Sequence, residues 1–355
     1  MSELVRPRGH EEAVAGLVRS AREGRLPHAL LLTGPDGVGK FRAAHWLAAS
    51  LLCERGGEAP CGECGACKRV HSASHADLFV VDARAEGQDE LTVFFVAHRE
   101  DRPSTAYQGA SIEDFLGLRA AEGRGKYVVV REAHRLNEVA QNALLKMLEE
   151  PRDGVHFVLE TATPDALLET VRSRVVEVRL AGLDRAACED VLFDAGGFDR
   201  GDGDDVAAVA ELVRLSGGSP GVALELGARR APELERLLVG AFASERAPHE
   251  VANELWEVDG EFEGKTAFVR RRVRAETILD LGLGILCDTE RCLVGADPAP
   301  LRHGPGAEAL AAAPGFASTS ARRRMGAAWL EAREDLRLNL SPEGLVDRAL
   351  ASLPR

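Results

Sequence analysis

Between residues 29 and 179 the chain alternates short, almost wholly apolar runs with longer segments whose apolar residues recur at helical spacing. The short runs are ALLLT (29–33), LFVVD (78–82), YVVVR (127–131), HFVLE (156–160) and VVEVR (175–179). Strands that are apolar at nearly every position, rather than every second one, are those buried on both faces of a parallel sheet. FRAAHWLAASLL (41–52), SIEDFLGLRAA (111–121) and EVAQNALLKMLEEP (138–151) read as the intervening helices, the last stopped by Pro151. This alternation predicts an α/β domain with a parallel sheet and flanking helices over residues 1–180.

After residue 180 the strand pattern ends. Residues 184–196, 204–216 and 219–227 read as three short helices separated by GGFDRGDGD and SGGSP, a small helical domain over 181–230. Residues 231–355 read as an all-α domain: ELERLLVGAFA, FEGKTAFVRRRVRAETILDLGLGILC, ARRRMGAAWLEAREDLRLNL and PEGLVDRALASL are its helices. The Pro- and Gly-rich stretch 294–306, VGADPAPLRHGPG, breaks this region.

Composition narrows the class. With 45% hydrophobic and 28% charged residues the chain is globular rather than disordered. No run approaches the roughly 18 apolar residues of a membrane span, and MSELVRPRGHEEA lacks the apolar core of a secretory signal. The expectation is a cytoplasmic protein without membrane contact. The net charge of −13, from 57 acidic and 44 basic residues, argues against tight independent binding to a nucleic-acid backbone. A local basic strip, or DNA contact shared with partners, stays open. RRRVR (270–274) and RRR (322–324) read as solvated helix faces, with DNA or an acidic partner as the alternative.

The chemistry is concentrated in two motifs. GPDGVGKF (34–41) follows the first strand and opens a helix, the context in which Gly34, Gly37, Gly39 and Lys40 form a phosphate-binding loop. Such a loop wants Ser or Thr after the lysine, to hold the magnesium of a bound nucleotide, and here that position is Phe41. A carboxylate at the end of a neighbouring strand also orients the ion, and YVVVRE places Arg131 in the first such position, before Glu132. Two positions directed at one ion are lost together. The loop is therefore degenerate, with weak or no nucleotide binding expected, and no intrinsic ATPase activity is expected of this chain.

The second motif is CERGGEAPCGECGAC, in which Cys53, Cys61, Cys64 and Cys67 have C-x7-C-x2-C-x2-C spacing. Two intervening residues let a tight turn present both sulfurs to one ion, and four thiolates close a tetrahedral zinc shell with no position left for substrate. A structural Zn2+ is expected, with His71 and His75 near enough to substitute. Cys188, Cys287 and Cys292 read as core residues. In NALLKMLEEP, Ala143, Leu144, Met147 and Leu148 form an apolar stripe for the core. The alternative use of that helix has Gln141, Asn142 and Lys146 facing a neighbouring subunit.

These motifs together resemble the AAA+ clamp-loader family, most closely its delta-prime branch in bacterial DNA polymerase III. The resemblance runs through GRLPHALLLTGPDGVGK (24–40), the four cysteines, NEVAQNALLKMLEEP (137–151), Ser173–Arg174, SGGSPGVALEL (216–226) and NLSPEGLVDRAL (339–350). Residues 83–110 fall outside its recognisable pattern. It implies an AAA+ P-loop domain with an inserted zinc module, a helical lid and a helical collar for oligomerisation. It further implies a hetero-pentamer with tau/gamma motor subunits and a delta subunit, acting on a sliding clamp and primed DNA. An arginine at an SR motif, matched here by Arg174, would serve in trans as a finger at the neighbouring motor subunit's ATP site. Val175 stands where the family has cysteine. Gly221, followed by Val222, stands where hydrolysing relatives carry an arginine that senses the γ-phosphate. Two alternatives are carried forward: an ATP-hydrolysing motor subunit of the same loader, and a zinc-dependent nucleic-acid-binding module.

Overall fold

A computed structural model describes residues 6–57, 59–104, 106–122, 125–243, 247–295, 301–338 and 340–353. The chain divides into two compact units, Met1–Ala187 and Cys188–Arg355. Most of the segment 181–230 thus falls in the same unit as residues 231–355.

In the first unit, strands β1 (Ala29–Thr33), β2 (Leu78–Val81), β3 (Lys126–Val130), β4 (Val155–Thr161) and β5 (Val176–Arg179) form one sheet of order β2-β3-β4-β1-β5. All pairings are parallel, with Leu31 opposite Leu159 and Val129 opposite Val158. The helices are α1 (Glu11–Arg22), α2 (Lys40–Leu52), α3 (Gly65–His71), α4 (Val93–Val96), α5 (Ile112–Gly117), α6 (Glu138–Glu149) and α7 (Glu169–Arg172). The apolar runs of β1 and β3 are buried throughout, as their composition predicts. β5 departs from that expectation. It pairs with β1 alone at the sheet edge, and Val176 is 49% exposed.

Residues 83–110, illegible as a motif, supply part of the core. Ala83, Leu91, Phe95 and Val96 are buried with Val128, Leu144 and Phe157. Leu91 also bridges Leu136, through N–H donation to the Arg135 carbonyl at 2.9 Å and from Asn137 at 3.1 Å. The apolar stripe of α6 is confirmed at Leu144 and Leu148.

The second unit is helical among its described residues: α8 (Arg185–Ala195, crossing the boundary), α9 (Gly203–Ser216), α10 (Pro220–Ala228), α11 (Ala231–Ala243), α12 (Pro248–Glu257), α13 (Ala267–Leu293), α14 (Gly304–Ala311), α15 (Thr319–Asp335) and α16 (Pro342–Ala351). The stretch 294–306 was expected as a break. Its end instead begins α14, with Pro305 in the first turn, where a missing N–H costs nothing; residues 296–300 lie outside the described ones. Trp329 is fully buried against α13 because position 282 is glycine, where a Cβ would lie 1.9 Å from the indole ring. A buried polar network joins four helical segments. Glu235 on α11 accepts from Arg214 on α9 at 2.6 Å and pairs with His303 Nδ1 at 2.6 Å, and the His303 N–H donates to Asp288 on α13 at 2.9 Å.

Candidate functional site

The turn after β1 has the geometry of a phosphate loop. Gly37 and Gly39 have φ of 70° and 102°, and α2 begins at Lys40. Gly34 is required for packing: at φ 146° its Cβ would lie 2.0 Å from the Leu180 carbonyl oxygen. Lys40 is only 5% exposed and is folded onto its own loop. Its Nζ donates to the carbonyls of Gly34 at 3.0 Å and Pro35 at 2.8 Å, and lies 4.0 Å from Glu160. Burial lowers the Lys40 pKa, against the opposing pull of Glu160, Asp36 and Glu132.

The two residues that replace magnesium-directed groups touch each other. The Arg131 guanidinium carbon lies 4.2 Å from the centroid of the Phe41 ring, a cation–π contact. Arg131 also pairs with Asp82 at the end of β2, and its Nε is 3.9 Å from Glu160 at the end of β4. Glu132, held at φ 45°, pairs with Arg84 and Arg135, each at 2.8 Å. The carboxylates around the loop thus carry side-chain cations as partners: Asp82 with Arg131, Glu132 with two arginines, Glu160 with Lys40 and Arg131. Burial nevertheless raises the Glu160 pKa, more than its neighbouring N–H and cations lower it. Asp82 and Glu160 were not singled out in the sequence. Their signal was an acid closing each of the runs LFVVD and HFVLE.

The four cysteines are brought together. Cys53, Cys61, Cys64 and Cys67 place their sulfurs within 4.8 Å of one another, with Cys53–Cys64 at 4.0 Å and Cys61–Cys67 at 3.9 Å. A tetrahedral shell with metal–sulfur bonds of about 2.3 Å has edges of about 3.8 Å, so the donor set fits such an ion. Cys64 caps α3, accepting the Cys67 N–H at 3.4 Å, and Cys61 Sγ accepts from the Cys64 N–H at 3.3 Å. The Cys64 N–H, with help from that of Glu63, draws the Cys61 thiol down to about 6, whereas burial pushes the Cys67 thiol up. His75 does not stand in for a sulfur. It is buried, accepting the Asp77 N–H at Nδ1 (3.0 Å), with Nε2 3.4 Å from Glu122.

Arg174 lies in the turn between α7 and β5. It donates to the Thr170 carbonyl at 2.8 Å and pairs with Glu149, at the C-terminus of α6, at 2.6 Å. Its side chain is 35% exposed and that of Glu149 46%. Val175 packs against the sheet core, an apolar role valine fills. Gln141 cannot face a neighbour. It is buried, donating to the Leu136 carbonyl at 2.8 Å and accepting the Leu168 N–H at 2.7 Å. Asn142 and Lys146 are exposed on the same helix. In the second unit Gly221 and Val222 occupy the first turns of α10. Arg322 is no solvated surface residue: it is largely buried, pairing with Glu290 and donating to the Phe316 carbonyl.

Residues 9–184 match the family described as DNA polymerase III, delta subunit. This matched region belongs to the delta-prime clamp-loader family. The DNA polymerase III subunit delta' of Pseudomonas aeruginosa is 35% identical over 194 residues, 54% of this chain and 53% of that one. That of Bacillus subtilis is 33% identical over 178 residues, 50% of this chain and 49% of its own. The subunit tau/gamma of Haemophilus influenzae is 35% identical over 177 residues, 50% of this chain and 23% of that one. The chain therefore spans about half the length, or less, of these relatives. The clamp-loader match lies mostly in the first unit, which holds the loop, the cysteines and Arg174. Among the described residues no helix is long and apolar enough to cross a membrane.

Proposed function

We propose that this chain is the non-hydrolysing, delta-prime-like subunit of a replicative clamp loader, assisting ATP-dependent loading of a sliding clamp onto primed DNA. One observation carries this reading: Arg131 rests on Phe41 and pairs with Asp82, so the ground a nucleotide's magnesium needs is held by a protein cation. A divalent ion brought there would meet a fixed positive charge and find neither hydroxyl nor unpaired carboxylate at the two motif positions. A motor subunit of the same loader needs both groups, which weighs against that alternative even though tau/gamma relatives match equally well.

In this reading Arg174 completes the ATP site of a neighbouring tau/gamma subunit. A planar guanidinium supplied in trans neutralises charge on the transferring γ-phosphoryl group, and Arg174 is surface-placed, at the end of a short helix, where a neighbour can reach it. The four thiolates hold a structural Zn2+ that fixes the turn ahead of α3. Residues 1–180, 181–230 and 231–355 act as AAA+ domain, lid and collar, within a hetero-pentamer that includes a delta subunit.

The test is DNA-stimulated ATP hydrolysis and clamp loading by the reconstituted loader carrying this chain or its Arg174→Ala variant, with assembly verified as equal and the chain assayed alone. A finger contributes about 10³–10⁵ in rate at the site it serves, diluted in the total by the other sites. A clear fall in both readouts, with no hydrolysis by the chain alone, is expected. Hydrolysis and loading that match the parent would return Arg174 to the ordinary surface arginines.

A further inference from the structure

A cleft of about 560 Å³ opens in the second unit between α12, α13 and α16. Its charged wall is the N-terminal part of α13, where Arg270, Arg271 and Arg274 recur at spacings of one, three and four and so share one helical face. Its apolar wall is aromatic, from Trp256 and Phe262, and the Arg274 guanidinium lies 4.4 Å from the Phe262 ring centroid.

One further observation points to the ligand. Glu343 of α16 lines the cleft and places a carboxylate 3.1 Å from Arg271, so the site already accommodates one carboxylate on this arginine face. Arg274 is committed to the carbonyls of Trp256 and Val258, which fixes the aromatic wall. Arg270 is exposed, bonded to the Gly264 carbonyl at 3.0 Å, and retains donors to offer.

We propose that this cleft binds a short acidic peptide segment of a partner protein, with carboxylates on Arg270 and Arg271 and an aromatic or branched apolar side chain against Trp256 and Phe262. A nucleic acid fits the surroundings less well. The end of α12 and the segment after it, which supply the aromatic wall, carry Glu254, Glu257, Asp259, Glu261 and Glu263, and the chain as a whole bears −13, so a continuous phosphate backbone leaving the cleft meets like charge. A compact segment with few carboxylates engages the arginines and stops. This inference stands independently of the role proposed for Arg174.

The experiment uses the full chain and a short fluorescein-labelled peptide of alternating aspartate and phenylalanine, with an asparagine-for-aspartate peptide and labelled oligothymidylate as comparisons. Saturable binding of the acidic peptide is expected, weakened by salt and roughly tenfold or more weaker in the Arg270→Gln/Arg271→Gln variant. Arg323→Gln/Arg324→Gln, in the other arginine cluster, is expected to leave it unchanged, and Trp256→Leu, which removes the aromatic face of the wall, to weaken it. No saturable peptide binding up to about 1 mM overturns the proposal. So does peptide binding indifferent to the Arg270/Arg271 change. Oligothymidylate binding lost in that variant, without peptide binding, assigns the cleft to single-stranded nucleic acid instead.

Discussion

If Arg174 acts in trans, it must first leave Glu149, and the structure bounds what that costs. The two side chains meet at 2.6 Å but are 35% and 46% exposed, so solvent screens the pair. Exposed ion pairs contribute about 0.2–1 kcal/mol, which caps the restraint at about a fivefold shift between parked and free arginine. Glu149→Gln removes the charge and retains an amide oxygen as a weak acceptor. Hydrolysis by the reconstituted loader is therefore expected to rise by at most about fivefold at the site served, against the losses of about 10³–10⁵ expected there for Arg174→Ala. Salt screens the same pair, so the ratio of variant to parent should shrink toward one as ionic strength rises. Glu149 lies at an exposed helix end, and its replacement should move stability by no more than about 1 kcal/mol. DNA-stimulated phosphate release at low and high salt, with a melting curve for each protein, is the assay. A Glu149→Gln loader as impaired as Arg174→Ala would refute the reasoning, since Glu149 would then position the arginine rather than restrain it.

Other consequences are equally concrete. Cys67→Ser removes a buried donor from the four-sulfur set, so bound metal should fall below one ion per chain and the first unit should melt lower; a variant with full metal content and an unchanged melt would sink the four-thiolate reading. Arg131→Asp adds a carboxylate beside Asp82 and Glu160, which should cost about 1–3 kcal/mol and be partly relieved by Mg2+ in a thermal-shift assay. Magnesium-dependent stabilisation by ATP is expected only when Phe41→Thr is combined with Arg131→Asp, and its appearance with Phe41→Thr alone would contradict the role given to Arg131. In the second unit, burial alone would raise the Glu235 pKa, but the bonds from His303 and Arg214 reverse this and leave it below its ordinary 4.5. A carboxylate depressed in the folded state stabilises at pH above its unfolded value, and that contribution fades as pH falls through the folded one. Glu235→Gln should therefore cost about 3 kcal/mol near neutrality and flatten the loss of stability below about pH 4.5, measured by urea unfolding across pH.

What the sequence disclosed follows from how local each signal is. ALLLT became β1 at the residues expected, because five buried positions, four of them apolar, end at a glycine loop and no other element satisfies that pattern. VVEVR carries Glu177 and Arg179 among its valines and was still read as a buried strand, yet β5 lies at an edge. Pairing on one side or two is set by the rest of the sheet, not by the strand's own residues. Residues 83–110 hid their buried positions because α4 is only four residues long and Leu91 finds its partner at Leu136. Neither feature has a period to read.

The loop itself separates two things that a motif runs together. Gly34 is fixed by the Leu180 carbonyl and Lys40 by the carbonyls of Gly34 and Pro35, so these letters of the phosphate-loop pattern have structural reasons that hold without a nucleotide. The ion-directed letters have no such second reason, and those are the ones replaced. In the proposed reading, a site without the ion still leaves Asp82, Glu132 and Glu160 clustered at the strand ends, a like-charge group that needs a counter-cation. Arg131 supplies it from within the chain, and Phe41, where a hydroxyl would be expected, gives that guanidinium a face to rest on. Read singly in the sequence, each replacement is a loss. In contact, they are one substitution of a fixed protein cation for a mobile metal ion, and a change at either position alone leaves the other without its counterpart.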